Sequence, residues 1–449
     1  MCALQPLSGK ISVVFSLRWS YLAFFVVFLL GSLLCGLANS SKMYIIGRAV
    51  AGAGGAGVVS GGLSVIAIMT PDAQRPLFTG LMMSLYSLGT VVAPIIGGAF
   101  TTNVTWRWCF LINLPAGAVT VITLLCFFHP PKASVLEGPG QTIWQRIAQV
   151  DLVGCGLFIP SIVMILLALQ WGGGQYAWNS ATVIGLFVGF AGAITVFIIW
   201  EVRQGDEAMI PFTLLRGCSV VLSIIFGFLI LGSAVIPVYY LPEWFQVVKN
   251  ADPMRSGVMV LPSVCTQISG AIASGALAKY VRYYNPWCLV GSAFLCIAAG
   301  LYTTFTTSTP SSHWIGFQIF QGLGCGFAAQ MPLLIVQNVL KDKPAHIPTG
   351  ISTVLFAQYF GSSVAQSVGG AIFQNRLGEE LRSRAGLDAS QVSMLLDAGT
   401  SKVQETVNRA FPDRRDTVAM AYNNAITDVF VSPLNNRTHI RVTNRVRYR

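Results

Sequence analysis

Long apolar segments alternate with short polar loops from residue 20 to residue 375. A helix that crosses a bilayer needs about 20 mostly apolar residues, and eleven segments meet this requirement. They lie at 20–38, 44–69, 80–101, 111–129, 151–171, 181–201, 220–241, 256–278, 286–306, 314–338 and 347–375. Residues 377–449 contain no long apolar run, which predicts a polar loop or tail outside the membrane. The pattern predicts an all-α, multi-pass membrane protein with about eleven spanning helices.

The composition agrees with a protein dissolved in lipid rather than in water. Hydrophobic residues make up 54% of the chain and charged residues 10%, with a mean hydropathy of +0.64. A soluble domain carries about 25% charged residues, so this chain has too few for a water-facing shell. Ten cysteines without a Cys-x-x-Cys pair are predicted to be free thiols, and four dispersed histidines predict no metal site. We expect no cofactor.

The basic residues indicate the orientation of the chain. One set of alternate loops holds eleven lysines and arginines, and the other set holds four. Cytoplasmic loops carry the excess of basic residues in membrane proteins, which places the amino terminus in the cytoplasm and the segment after Arg376 outside. The eleven are Lys10, Arg18, Arg75, Lys132, Arg146, Arg203, Arg216, Lys279, Arg282, Lys341 and Lys343, and the four are Lys42, Arg107, Lys249 and Arg255. The net charge of +11 is thus a topology signal, and without a basic helix face nucleic acid is not an expected partner.

The spacing of the spans predicts two helix bundles joined by an extra pair of helices. We predict a partial first bundle at 1–129 and a linker helix pair with cytoplasmic loops at 130–219. An incomplete second bundle follows at 220–376, before the polar segment 377–449. Transporters built from repeated halves bind substrate near the middle of the membrane, between the halves. A cavity between the bundles is therefore the expected binding site.

A glycine-rich run and an arginine share the second predicted span. Residues 52–57 match the Gly-x-Gly-x-x-Gly dinucleotide fingerprint, but that fingerprint requires a preceding strand, and here the glycines lie inside an apolar span. We interpret Gly57 and Gly61 as a small-residue pair for close helix contact. A charged side chain inside a span costs at least about 2.5 kcal/mol, so Arg48 is predicted to have a functional role. The alternative is an arginine near the outer helix end that reaches to the membrane surface.

A second glycine-rich span runs from Gly80 to Gly98. Gly89 and Gly97 remove side chains from this helix, and Pro94 removes a backbone donor and bends it. We predict a bent, tightly packed helix. The alternative is a packing kink with no further role.

Polar side chains in the later spans are candidates for substrate contacts. An unpaired amide is costly in lipid, so these side chains are expected to face the protein interior. Gln318 and Gln321 are three residues apart and share a helix face. The substrate-cavity candidates are Gln318, Gln321, Gln330, Gln358 and Tyr359. For each glutamine the alternative is a hydrogen bond between helices.

Acidic residues are scarce in the spans. Asp151, Glu201 and Glu243 lie at predicted helix ends, where we expect water to reach them. Asp151 begins a span, and a carboxylate there is favourable against the helix dipole. We therefore predict a capping role for Asp151 rather than proton transfer.

Taken together, these segments resemble the major facilitator superfamily, and within it the fourteen-span drug:proton antiporters of fungi, including toxin and secondary-metabolite efflux pumps. The Arg48 segment resembles a motif whose arginine is implicated in proton coupling. The Gly80–Gly98 segment resembles the antiporter motif associated with export, with Ala93 in place of the usual glycine. Further family-like strings lie at 106–115, 256–262 and 316–324. The resemblance implies major facilitator-type bundles, a small-molecule substrate and coupling to protons, and we expect a monomer in the plasma membrane.

The chain departs from the family pattern at both ends. Residues 4–10 resemble the end of the family's second span, so the first span and most of the second are expected to be missing. The loop at 9–19 matches the family's cytoplasmic gating motif poorly. Residues 421–426 resemble the entry to the last span, but the basic segment 432–449 cannot cross a membrane. A faulty gene model or a genuine short protein would each give this pattern.

The sequence predicts a transporter and not an enzyme. The leading hypothesis is proton-coupled efflux of a drug, toxin or secondary metabolite by alternating access. An importer or facilitator of the same superfamily and an inactive truncated product are the alternatives. No His-Glu-x-x-His, paired-acid, serine-elbow or ATP-binding arrangement in the sequence supports a membrane enzyme or a primary pump.

Overall fold

The computed structural model describes residues 1–129, 145–146, 149–173, 175–278, 280–281 and 283–431. Three predictions fall outside the described residues: most of the cytoplasmic loop before Asp151, the end of the tail at 432–449, and the loop positions of Lys132, Lys279 and Arg282. The described backbone is helical or irregular, and no β-sheet forms within it.

Nineteen α-helices occur within these described ranges. They are α1 (Gln5–Val14), α2 (Leu17–Gly36), α3 (Ser41–Met69), α4 (Arg75–Asn103), α5 (Trp108–Leu111), α6 (Asn113–Phe127), α7 (Leu152–Trp171), α8 (Ala181–Gln204), α9 (Phe212–Leu215), α10 (Cys218–Val247), α11 (Pro253–Met259), α12 (Leu261–Leu277), α13 (Asn285–Tyr302), α14 (Ser311–Ala328), α15 (Met331–Val339), α16 (Ile347–Ser383), α17 (Ala389–Ala398), α18 (Thr400–Ala410) and α19 (Arg415–Val431).

Nine helical segments of the described chain are long and apolar enough to cross a membrane. They are Leu17–Gly36, Ser41–Met69, Trp108–Phe127, Leu152–Trp171, Ala181–Glu207, Cys218–Val247, Pro253–Leu277, Asn285–Tyr302 and Ser311–Val339. Each overlaps a span predicted from the sequence. The other two predicted spans coincide with α4 and α16, which are long helices but are not among these nine. The prediction of an all-α, multi-pass membrane fold is confirmed.

Loops that the charge pattern assigns to one side of the membrane also meet in space. Lys10 donates hydrogen bonds to the backbone carbonyls of residues 207 and 208, and both segments are predicted to be cytoplasmic. Lys249 donates to the carbonyls of residues 307 and 309, and both of these are predicted to be external. The contacts agree with the alternation of loops, while the orientation itself stays a prediction.

Helices α2 and α3 approach closely because glycines of α3 face rings of α2. A Cβ atom on Gly57 would lie 2.0 Å from the ring of Phe24, and one on Gly61 would lie 2.4 Å from the ring of Tyr21. Only a hydrogen atom fits at either position. The close helix contact predicted for Gly57 and Gly61 is therefore present, and these glycines lie in a helix rather than in a nucleotide-binding loop.

The core of the second half is aromatic. Trp244 of α10 is fully buried and stacks on Phe305, with ring centroids 4.5 Å apart. Tyr302 is also fully buried beside Phe305. Phe430 of α19 completes the cluster against Tyr302. Aromatic side chains bury large areas, so this cluster joins α10, α13 and α19 firmly.

The segment predicted to be a polar loop or tail is largely helical in the structure. α16 continues to Ser383, and α17, α18 and α19 follow it. Asn423 of α19 accepts a hydrogen bond from Trp244 Nε1 at 2.8 Å and donates one to the Phe305 carbonyl at 3.0 Å. The sequence interpretation missed these helices because their apolar runs are far too short to cross a membrane. The apolar side chains bury against each other and against the end of α10.

The predicted division into two bundles and a linker pair stays a prediction. α7 packs on α8 and α10 packs on α16, as that division requires. α16 also contacts α1 and α3, and α4 contacts α12. Helices from both predicted bundles therefore meet, and α4, α12 and α16 border the cavity of the candidate site.

Candidate functional site

A cavity of about 420 Å³ lies between α4 and the helices of the second half. Its polar lining residues are Tyr86, Ser87, Thr90, Ser263, Gln267, Gln321, Gln330, Gln358, Tyr359 and Ser362. The remaining lining is apolar, and none of the described lining residues carries a charge. Small-molecule sites are concave and mostly apolar with a few placed polar groups. The recess has these properties.

Four of the five predicted cavity residues lie at this cavity: Gln321, Gln330, Gln358 and Tyr359. Gln318 does not. Its side chain is fully buried, and its Nε2 donates to the Met259 carbonyl at 3.0 Å. Residues three positions apart on a helix differ in direction by about 60°, which turns Gln318 away while Gln321 faces the recess.

Two of the cavity glutamines also bond to neighbouring helices. Gln321 Oε1 accepts a hydrogen bond from the Tyr302 hydroxyl at 2.5 Å. Gln358 Nε2 donates to the Ala329 carbonyl at 2.8 Å. The interhelical role considered as an alternative for these residues is therefore present together with their position at the cavity.

Gln330 has one satisfied and one unsatisfied end. Its Nε2 donates to the Ala271 carbonyl at 3.0 Å and to Ser274 Oγ at 2.7 Å. Its Oε1 is buried and has no hydrogen-bond partner in the described part of the chain. A buried acceptor without a donor costs about 1–3 kcal/mol, so this oxygen offsets part of the stability that the amide nitrogen contributes.

Sequence reasoning missed the contribution of α4 to the cavity. Tyr86, Ser87 and Thr90 line it from this helix, and Tyr359 of α16 lines the same cavity. These three polar residues lie within five positions of one another inside an otherwise apolar span. That spacing is the signal that could have identified them.

The first half of α4 is packed tightly against α12. A Cβ atom on Gly80 would lie 2.6 Å from the Ala271 carbonyl oxygen, and one on Gly275 would lie 2.6 Å from the Pro76 carbonyl oxygen. Ser84 Oγ donates to the Ile268 carbonyl at 3.4 Å. Backbone meets backbone here, which closes this end of the crossing between the two helices.

The second half of α4 is open, and the prediction of tight packing fails there. A Cβ atom on Gly89 or Gly98 would meet no atom within 4 Å, and one on Gly97 would meet only Cys109 Sγ at 3.9 Å. Pro94 lies within the helix, but its side chain lies outside the described ones. Apart from α5 beside Gly97, no described segment covers this face, so its glycines relieve no crowding in this structure.

Arg48 lies on the exposed side of α3 and not at the cavity. Its guanidinium carbon lies 5.9 Å from the centroid of the Phe110 ring, within reach of a cation–π interaction. Within the described residues it forms no ion pair with a carboxylate. Gly54, Gly57 and Gly61 of the same helix face α2, and Arg48 is on a different, exposed side.

The acidic residues differ from expectation in their exposure. Asp151 caps α7 as predicted, because its Oδ1 accepts a hydrogen bond from Gly154 N at 2.9 Å. The expected access of water is wrong, however, since Asp151 is 7% exposed and Glu201 is 5% exposed. Residues 209 and 210 cover Glu201 through hydrogen bonds from their amides, and Trp200 covers Asp151 through a hydrogen bond from Nε1.

Comparison with known proteins gives a consistent set of relatives. The sequence pattern of the Major Facilitator Superfamily matches residues 1–366. The MFS-type transporter poxA of Penicillium oxalicum is 46% identical over 432 residues, which cover 96% of this chain and 76% of that protein. The efflux pump aflT of Aspergillus parasiticus is 39% identical over 431 residues, covering 96% of this chain and 82% of that protein. The MFS-type efflux pump MFS1 of Arthroderma benhamiae is 40% identical over 428 residues, which cover 95% of this chain and 78% of that protein.

Solved structures share the fold at low sequence identity. The proton:xylose symporter XylE matches with a TM-score of 0.53 at 13% identity, covering 96% of this chain and 83% of that one. The human organic anion transporter MFSD10 matches with a TM-score of 0.53 at 12% identity, covering 96% and 80%. At these identities the likeness concerns the arrangement of helices alone.

Proposed function

The chain belongs to the major facilitator superfamily, and from this premise we propose that it exports small organic molecules across a membrane by alternating access, driven by proton influx. Transport is the general property of the family. Export is supported by relatives that are named efflux pumps, which favours it over import or facilitated diffusion. The proposed location is the plasma membrane and the proposed state is a monomer.

The uncharged cavity is the observation that carries the proposal. A charged molecule would lose its hydration there without meeting an opposite charge, which is costly in an apolar site. A neutral molecule with an apolar body loses little on entry and gains from burial. The lining amides and hydroxyls would orient its few polar groups.

Transport can be measured with matched probes on the full chain in proteoliposomes. The probes are 1-pyrenemethanol, which is neutral with one donor, 1-methylpyrene, which lacks the donor, and 1-pyrenesulfonate, which is charged. A proton gradient should drive movement of pyrenemethanol above the rate in empty vesicles, and a protonophore should abolish it. Pyrenesulfonate should not move. Gradient-driven movement of the sulfonate with none of the alcohol would contradict the proposed substrate class.

A pair of glutamine variants tests the cavity itself. Gln267 lines the cavity and has no side-chain hydrogen bond among the described residues, whereas Gln366 lies further along α16 and does not line it. We expect Gln267→Ala to lower pyrenemethanol transport several-fold and Gln366→Ala to leave it unchanged. Equal effects from both variants would remove the cavity from the mechanism.

Arg48 is proposed to tune proton coupling. We expect Arg48→Ala to abolish gradient-driven efflux while insertion into the membrane is retained. Lys42→Ala, a change of the same charge at the start of the same helix, serves as the control and should transport normally. Unchanged efflux in Arg48→Ala would leave Arg48 as an arginine at the membrane surface.

A further inference from the structure

A second group of buried ionisable residues lies away from the cavity, at the predicted cytoplasmic end of the linker helices. It consists of Lys10 of α1, Asp151 at the start of α7 and Glu201 near the end of α8. All three are less than a tenth exposed. Buried charges are normally paired or neutralised, so the charge balance of this group has to be accounted for.

One oxygen of Asp151 is satisfied and the other is not. Oδ1 accepts from Gly154 N at 2.9 Å and from Trp200 Nε1 at 2.8 Å. Oδ2 is buried and receives no donor from the described residues. An ionised carboxylate would leave this oxygen desolvated and unpaired, which is the costliest arrangement for a buried acceptor.

Glu201 already receives two backbone donors. One carboxyl oxygen accepts from Met209 N at 3.2 Å and the other from Ile210 N at 3.1 Å. The carboxyl group of Glu201 is also in hydrogen-bonding contact with that of Asp151. Two carboxylates cannot bond to each other unless a proton lies between them.

We infer that Asp151 and Glu201 form a proton-binding site that holds one proton between their carboxyl groups. The proton supplies the donor that Asp151 Oδ2 lacks. The protonated pair then carries a single negative charge, which balances the single positive charge of Lys10. Without the proton the buried group would carry an excess negative charge.

The site also holds the turn that follows α8. Glu201 binds the amides of Met209 and Ile210, while Lys10 Nζ binds the carbonyls of Glu207 and Ala208, both at 2.9 Å. Two side chains therefore bind the turn from both sides, and one of them, Lys10, belongs to the amino-terminal segment. Loss of the proton would set two like charges in contact beneath this turn and loosen it.

Other charged or titratable groups act on the same cluster. Asp206 and Glu207 are exposed on the turn and attract Lys10. Cys155 of α7 lies next to the pair, with its Sγ 3.6 Å from Met209 Sδ, and His346 faces Lys10 and Asp206 from the loop before α16. None of these supplies a proton donor to Asp151 Oδ2.

Infrared spectroscopy of the full chain in lipid nanodiscs tests the site directly. A protonated carboxyl group has a carbonyl stretch that is separate from carboxylate bands and shifts in D₂O. We expect one such band at neutral pH in the wild type, and its loss in both Glu201→Gln and Asp151→Asn. Each variant keeps one negative charge facing Lys10. Asp151→Asn is the milder change, because Oδ2 receives no donor that the new amide nitrogen would displace, whereas Glu201→Gln loses one of its two backbone bonds to the turn.

Glu207→Gln is the matched control, because it is the same substitution at an exposed carboxyl on the adjacent turn. It should keep the band. Absence of the band in the wild type at neutral pH, its persistence in Glu201→Gln, or its equal loss in Glu207→Gln would each overturn the inference.

Cys155 offers a second readout, because it is buried under the same turn. Alkylation is measured by peptide-resolved mass spectrometry, relative to the exposed Cys218. As the pH is raised, this ratio should increase in the wild type and rise much less in Glu201→Gln. The direct effect of pH on thiol ionisation is the same in both proteins. An equal rise in both proteins, or none in either, would show that no proton holds the turn.

Discussion

Both halves of α4 contain glycine, but their surroundings are opposite. In the first half, Gly80 lies against the backbone of α12, and Gly275 of α12 lies against the backbone of α4. In the second half, Gly89 and Gly98 meet no atom within 4 Å. Glycine allows close approach but does not cause it. The comparison teaches that a glycine motif marks where helices can meet, and only the neighbouring helix decides where they do.

The largest expected effect separates these two halves directly. Gly80→Val forces a side chain into the Ala271 carbonyl, 2.6 Å from the position of the new Cβ, and should destabilise the protein by about 3 kcal/mol, the upper range for overpacking. Gly89→Val has free space and should change stability by less than about 0.5 kcal/mol. Thermal unfolding of the detergent-solubilised variants measures both. Equal losses would mean that the open half is packed in solution.

A smaller effect is expected from the polar contacts at the closed end. Gln330→Leu leaves the Ala271 carbonyl and Ser274 Oγ without this donor and should cost about 1–2 kcal/mol. Thr101→Val is the control in the open half, since Thr101 bonds only to carbonyls of its own helix. Its melting temperature should match that of the wild type. A larger loss in Thr101→Val than in Gln330→Leu would reverse the comparison.

The smallest effect concerns pH at His346, in the loop before α16. Burial, then the positive charges of Lys343 and Lys10, lower the pKa of His346 below its ordinary value of 6.5. Stability from the neutral ring is fully present above that value and is lost as the pH falls through the lower folded pKa. Between about pH 7.5 and about pH 5.5, the melting temperature of His346→Gln should therefore change less than that of the wild type. An identical pH dependence in both proteins would show that His346 is not buried as described.

Much of the fold follows from the sequence for a simple reason. Crossing a bilayer demands long apolar helices, and that demand is visible in the pattern of the spans. The helices after Arg384 do not need to cross a bilayer and lack long apolar runs, so the sequence pattern did not predict α17 and α18. α19 was recognisable only at residues 421–426, and its burial includes the bond between Asn423 and Trp244, residues far apart in sequence.

The site was predicted less completely because it depends on direction and not on composition. Gln318 and Gln321 have the same chemistry and neighbouring positions, yet only Gln321 faces the cavity. Asp151 and Glu201 are fifty residues apart in the sequence and come together only when α7 packs on α8. A single sequence does not show which distant residues come into contact.

Accessibility of α4 from the two sides of the membrane tests the central claim that one cavity opens to each side in turn. Ser84→Cys lies at the closed end and Thr90→Cys lines the cavity. With an impermeant maleimide and peptide-resolved detection, Thr90→Cys should react from the external side while Ser84→Cys reacts from neither. A proton gradient with pyrenemethanol should then make Ser84→Cys reactive from the cytoplasmic side and protect Thr90→Cys from the external reagent. An unreactive Ser84→Cys and an unchanged Thr90→Cys under the gradient would contradict alternating access.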